Sequence, residues 1–235
     1  MKRFGTSYGG FFYPADIRLD RHSVIYCVGA GEDISHDVEL AGFSGADVHI
    51  FDPTPRAISH CQYIKDLLDK KVEPRPSKRF GGGDITYLDR ILQTGVCGEN
   101  LRFHPFGIGP TTISDAKFFL PSNTEYVSCS VVPGMKGTEF ITVEIKTLVD
   151  TMELLGHTHI NLLKLDIEGA ECDVLDQMLL ADIYPAYLGI DFDLGYTGES
   201  IRDLEKTNNT IEKLRSAGYQ LVHERGPDKS FVLCR

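Results

Sequence analysis

The chain has 235 residues, with 24 Lys and Arg against 34 Asp and Glu, a formal net charge of −10. Such acidity argues against a nucleic-acid backbone or an anionic membrane surface as partner, since both call for clustered Lys and Arg. At 26.2 kDa, with 42 % hydrophobic and 25 % charged residues, the chain is not a disordered one and can bury a sizeable core.

No apolar run approaches the ~18 residues of a membrane-spanning helix, and Met1-Lys2-Arg3-Phe4-Gly5 leads into no apolar signal segment. The six cysteines are scattered without a C-x-x-C pair, so a disulfide framework or cysteine metal cluster is not expected, and a reducing, cytoplasmic setting is.

Residues 1–22 read as a lead-in. Val24 to Val28 is a short β-branched run ending in glycines, a buried strand. Ile34 to Phe43 follows with helical spacing, then a second strand over Val48-His49-Ile50-Phe51, closed by Asp52-Pro53. Pro55 suits the first turn of the next helix, whose apolar face holds Ala57, Cys61, Ile64 and Leu67. Lys70 to Gly83 is basic, proline-broken and glycine-rich, a surface loop. A short helix over Ile85 to Leu92 and a third strand over Leu101 to Phe106 come next. Residues 107–146 read as a β-rich excursion from the main sheet. Thr147 to Leu155 is helical, and Ile160 to Leu165 is a near-continuous apolar strand, the pattern of a parallel strand covered on both faces. A helix through Leu175, a strand over Tyr187 to Ile190, a helix through Leu204 and Leu214, and a closing hairpin about Gly226-Pro227-Asp228-Lys229 complete the chain. The whole predicts one domain over 1–235, an α/β fold with a mostly parallel sheet and an antiparallel last strand.

In such sheets ligands sit at the carboxyl ends of the strands. The first strand ends in Gly29-Ala30-Gly31-Glu32-Asp33-Ile34-Ser35, and Asp52 closes the second, about 20 residues past the glycines, where a carboxylate can hold ribose hydroxyls. Nicotinamide and S-adenosylmethionine binders share this much. Ile34 at the third glycine position, with Glu32 and Asp33 at the helix entrance, disfavours a pyrophosphate and suits a cofactor bearing a sulfonium and an ammonium. The plainer alternative is a tight turn with Asp33 or Ser35 capping the helix.

Val28-Gly29-Ala30-Gly31-Glu32-Asp33-Ile34-Ser35, Phe51-Asp52-Pro53-Thr54-Pro55, and above all Leu163-Lys164-Leu165-Asp166-Ile167-Glu168-Gly169-Ala170-Glu171, resemble the FkbM-type methyltransferases. Gly5-Thr6-Ser7-Tyr8-Gly9-Gly10 is similar to a segment that often precedes their first strand. The resemblance implies a class I (Rossmann-like) methyltransferase fold, seven strands in the order 3-2-1-4-5-7-6. It also implies S-adenosyl-L-methionine-dependent O-methylation of a small-molecule or glycan hydroxyl, most of all of a sugar. It places Tyr8, Gly29, Ala30, Gly31, Asp33, Ser35, Asp52, Pro53, Gly107 and Asp166 at the cofactor.

Methyl transfer to oxygen needs orientation and a base, and Asp166, Glu168 and Asp191 are the catalytic candidates. Glu168 has the alternative of bonding loop amides, and Glu171 that of a solvated helix start. Asp191-Phe192-Asp193 departs from the Glu-Phe-His frequent in the family and removes a histidine base. Asp166 with Asp191 and Asp193 would offer oxygen ligands to Mg²⁺, as in catechol-type O-methyltransferases. Phe106-Gly107-Ile108-Gly109 suits an adenine edge, His104 is a lesser candidate there, and His36 reads as an exposed helix residue. Arg75, Lys78 and Arg79 would meet an anionic acceptor or merely form a solvated loop. A nicotinamide-dependent oxidoreductase and a non-catalytic methyltransferase-like module are the competing functions.

Overall fold

The computed structural model describes residues 1–75, 78–120, 139–193 and 201–234, and of residues 201–203 only the backbone. The central sheet holds β3 (Ile25–Val28), β4 (Val48–Phe51), β5 (Leu101–His104), β9 (Leu162–Leu165), β10 (Tyr187–Asp191), β11 (Tyr219–Arg225) and β12 (Asp228–Leu233). Their spatial order is β11-β12-β10-β9-β3-β4-β5. Pairing is parallel from β5 through β4, β3 and β9 to β10. Only β12 runs against its neighbours, antiparallel to both β10 and β11. Seven strands, mostly parallel with the closing strand reversed, agree with the expectation from sequence.

The strand runs are apolar on both faces because both faces are covered. Ile25, Cys27 and Leu162 share one core with Val38 and Leu40 of α1 (Ser35–Ser44), Ala57 and Ile64 of α2 (Pro55–Leu68) and Tyr87 and Ile91 of α3 (Tyr87–Gln93). Tyr26, Val28, Leu163 and Leu165 point the other way. They pack with Leu148 of α4 (Leu148–Leu155), Val174 and Leu175 of α5 (Glu171–Leu180) and Ile211 and Leu214 of α6 (Ile201–Ser216). Local signals set the helix starts: Thr54 accepts from the Ala57 amide ahead of Pro55, and Thr147 from the Asp150 amide.

Two pieces lie outside this sheet. The excursion is a small sheet of β6 (Gly107–Ile108), β8 (Phe140–Lys146) and β7 (Ile113–Phe119), in that order; residues 121–138 fall outside the described chain. The lead-in is more structured than its sequence suggested. It folds as a hairpin of β1 (Lys2–Phe4) and β2 (Phe11–Tyr13). Phe4, Phe11 and Tyr13 are buried in the first core, and a Cβ added at Gly189 in β10 would lie 2.5 Å from the Tyr13 hydroxyl. No helix of the described residues is long and apolar enough to cross a membrane.

The chain leaves β3 toward β4 and β5, then returns to β9 on the other side, so the topological switch lies between β3 and β9. There Gly29 has φ +85°, and a Cβ on it would stand 1.8 Å from the Asp166 carbonyl oxygen. Gly29→Ala is therefore expected to destabilise the fold by about 2 kcal/mol or more, through strain and overlap together. Urea unfolding measures it, and a change below about 0.5 kcal/mol would refute the close approach.

Candidate functional site

Past the switch point the β3 loop is held by carboxylates. Asp52 Oδ2 accepts from the Ala30 and Gly31 amides at 2.9 and 3.0 Å, and its Oδ1 from the Thr54 amide and hydroxyl at 2.8 and 2.7 Å. Both oxygens of Asp52, expected to meet ribose, are thus engaged within the protein. Asp33 is engaged likewise: Oδ1 accepts from the Ser35 amide and hydroxyl, and Oδ2 from the Thr6 hydroxyl. Thr6 Oγ1 in turn accepts from the Tyr8 and Gly9 amides. The hairpin loop is thereby tied over the glycine turn, with Gly9 against Asp33. Glu32 pairs with Arg56 at 2.7 Å and Arg79 at 3.7 Å.

Between these loops and the excursion sheet lies a cleft enclosing about 820 Å³, part of it open to solvent. Its lining includes the apolar Val28, Phe51, Pro53, Gly107, Ile108, Phe118 and Ile145, and also Gly9, Asp33, Asp166, Glu168 and Tyr8, on whose hydroxyl the three carboxyls act. Of the residues expected at a cofactor, Tyr8, Gly29, Ala30, Gly31, Asp33, Asp52, Pro53, Gly107 and Asp166 all line it. Ser35 does not; it is fully buried and holds Asp33 and the Thr6 amide. Phe118 and Ile145 come from the excursion, a contribution that segment's composition could not specify.

The acidic end is crowded. Lys164 stands 3.3 Å from Asp166 Oδ2. Burial raises the Asp166 carboxyl, Lys164 pulls it back, and Glu168 raises it again. Burial, then the charges of Asp166 and Asp228, push Asp191 up to about 8, and among the described residues its Oδ1 is buried without a hydrogen-bond partner. Asp193 is pushed up to about 9 by burial and by a hydrogen bond to Glu168. Desolvation, then the charges of Asp166, Glu168 and Asp33, push the Tyr8 hydroxyl up to about 12. Glu168 itself has φ +59°, a left-handed backbone that costs a non-glycine residue about 1 kcal/mol or more.

Several expectations are corrected. Glu171 is no solvated helix residue: it is 1 % exposed and its carboxylate accepts from the Ile167 and Gly169 amides. It fills the loop-bracing role weighed for Glu168, because it is the first residue of α5 and directly follows that loop. His36 is buried, not exposed, with Nε2 at 3.2 Å from the Tyr13 hydroxyl, because the lead-in hairpin covers that helix face. His104 stacks on Phe51 and meets His49 Nδ1 at 3.0 Å, outside the cleft lining. The ligand atoms of Asp166, Asp191 and Asp193 are not gathered within 4.8 Å of one another among the described residues. Among the described residues the ligand atoms that gather within 4.8 Å are those of Cys27, His36 and Asp37, and the cation beside Asp166 is the Lys164 ammonium.

Fold and cleft together define an α/β protein with a mostly parallel sheet and a cleft at the carboxyl edge of that sheet. A family model described as methyltransferase FkbM domain matches residues 28–221, and the chain belongs to that methyltransferase family. No curated protein matches it. A solved structure, the crystal structure of an rRNA methylase from Streptococcus thermophilus, is similar at 10 % identity with a TM-score of 0.41, over 92 % of this chain and 90 % of that one.

The shifted groups give a pH signature. Asp191, Asp193 and Glu171, the last pushed up to about 7 by burial, stay protonated in the fold after the unfolded chain releases its protons near pH ~4. Their contribution is fully present below that pH and lost as pH rises through 7 to 9. Burial lowers His36 and His60 to about 3 and His49 and His104 to about 4, so their contribution is present above the unfolded value of about 6.5 and lost in acid. Above pH ~6.5 the carboxyls remain, joined toward pH 9 by the Cys27 and Cys61 thiols, which burial raises and which act in the same direction. The melting temperature is expected to fall from there to pH 9, and less steeply in Asp193→Asn; a rise over that window in differential scanning fluorimetry would contradict the assignment.

Proposed function

We propose that the cleft binds S-adenosyl-L-methionine and that the protein is an O-methyltransferase acting on a hydroxyl, most of all that of a sugar or glycan. The observation that carries the reading is the mixed lining of the cleft: apolar side chains such as Val28, Phe51 and Ile108, the carboxyls of Asp33, Asp166 and Glu168, and glycine-loop amides already filled by Asp52. A pyrophosphate needs those amides, which counts against a nicotinamide cofactor. A sulfonium and an ammonium need the carboxylates. The strand order supports reading the fold as class I and residues 1–235 as one methyltransferase domain.

In this reading Gly107, Ile108 and Phe51 hold the adenine. Asp52 acts by shaping the Gly29-Ala30-Gly31 turn and Pro53 by closing the slot. Asp33, Asp166 and Tyr8 face the cationic end, with Ser35 behind Asp33. When bound, the cofactor supplies an electrophilic methyl group on a positively charged sulfur. The chain's own task is to present an acceptor oxygen in line and to take its proton. Asp166 is placed for this, held by Lys164, with Glu168 beside it to hold the acceptor hydroxyl. Asp191, pushed up to about 8, keeps a proton at neutral pH until a nearby cation draws it off. No step is assigned to Mg²⁺.

Transfer of isotope-labelled methyl from S-adenosylmethionine to a panel of glycans, with RNA as a control, tests the proposal. Incorporation into a glycan hydroxyl is expected, and Asp166→Asn should lower it by about 10²-fold or more. Cofactor binding without transfer to any acceptor would favour the non-catalytic module.

A further inference from the structure

Lys164 is out of place by composition. It stands in β9, at the centre of a parallel sheet whose other residues there are apolar, and it is 2 % exposed. An ammonium in such a position is retained only if charges and hydrogen bonds replace its water. Three groups do so. Its Nζ donates to the Gly29 carbonyl oxygen, lies 3.3 Å from Asp166 Oδ2, and is acted on electrostatically by Asp37.

Asp37 is the more telling partner. It belongs to α1 and is 1 % exposed, and among the described residues the Cys27 thiol, a weak donor, is the side chain hydrogen-bonded to its carboxylate. Its near neighbour is His36, with Nδ1 at 4.0 Å from Asp37 Oδ2. That imidazole is held neutral by burial, and its other nitrogen meets the Tyr13 hydroxyl. Cys27 is equally buried, and burial raises its thiol well above the ordinary value. The positive charge that answers Asp37 is therefore Lys164. Burial raises the Asp37 carboxyl to about 6 and Lys164 draws it down.

Above the ammonium, the Gly29 turn and the Asp166 turn are the two loops that meet at the switch point. The Gly29 amide donates to the Phe51 carbonyl and the Asp166 amide to the Val28 carbonyl. These bonds fix the backbones and leave the Asp166 side chain to Lys164. We propose that Lys164 is a positioning residue for the cofactor end of the cleft: it sets the Gly29 carbonyl and the Asp166 carboxylate in one geometry, while Asp37 is a buried counter-ion that offsets the cost of keeping the ammonium under the sheet and takes no part in the positioning. The proposal rests on the reading of the cleft as an S-adenosylmethionine site.

Three variants, studied with S-adenosylhomocysteine by calorimetry and by thermal melting, separate positioning from mere support. Lys164→Met leaves Asp37 and Asp166 without a counter-ion, and should lower both the melting temperature and the affinity. The double variant Lys164→Met with Asp37→Asn buries no lone charge under the sheet. It should recover much of the melting temperature while its affinity stays about tenfold or more below wild type. Asp37→Asn alone keeps Lys164 on Gly29 and Asp166, and should lose stability yet bind within about threefold of wild type, under one tenfold step. A double variant that binds like wild type would overturn the proposal. Should the double variant not fold, an Asp37→Asn protein that loses affinity as severely as Lys164→Met would overturn it equally. Absence of binding by the wild-type protein to either S-adenosylmethionine or S-adenosylhomocysteine would instead sink the reading of the cleft.

Discussion

The fold turns on how closely two strand ends approach each other. Gly29 at the end of β3 and Asp166 at the end of β9 pass with no room for a Cβ, and a buried lysine spans them. Neighbouring parallel strands ordinarily diverge where their chains leave the sheet. Here the divergence is delayed by one residue on each side, so the loops that follow open directly onto a cleft. The remaining architecture serves that arrangement. Helices on both faces keep the sheet dry, the lead-in hairpin seals the His36 side, and the excursion sheet supplies an apolar wall.

The acidity of the chain resolves into two populations. Glu32, Asp33 and Asp52 are internal struts, each satisfied by arginines, hydroxyls or backbone amides. Asp166, Glu168, Asp191 and Asp193 are crowded together, with Lys164 beside Asp166, and burial and neighbouring acidic groups push Asp191 and Asp193 up to about 8 and about 9. Struts of the first kind shape a loop and exclude phosphate. A crowd of the second kind favours an approaching cation, since each carboxyl that ionises needs a positive neighbour. The same residue type thus does two jobs a few ångströms apart, and only the hydrogen-bond partners tell them apart.

Much of this was legible in sequence. The apolar runs at Ile25–Val28 and Leu162–Leu165, the glycine turn and the C-terminal hairpin carry local signals strong enough to place the sheet and its carboxyl edge. The Leu163-Lys164-Leu165-Asp166-Ile167-Glu168-Gly169 block pointed to the family that the family model also matches. Tertiary features were not legible. The burial of His36 and Glu171 depends on the lead-in hairpin and on the turn before α5. The hairpin's own signal, alternating Phe4, Phe11 and Tyr13 about Gly9-Gly10, is short and easily read as a tail. The engagement of Asp52 by amides, and the separation of the Asp166, Asp191 and Asp193 carboxylates, are matters of side-chain direction, which strand-end spacing cannot give.

On the proposed reading, the cleft takes a nucleoside bearing positive charge and no phosphate. Isothermal calorimetry of the unmodified protein at pH 8, with S-adenosylmethionine and NAD⁺ as parallel titrants, tests it most directly. The account predicts saturable binding of S-adenosylmethionine and none of NAD⁺ at millimolar concentration. Binding of NAD⁺ in preference to S-adenosylmethionine would contradict it.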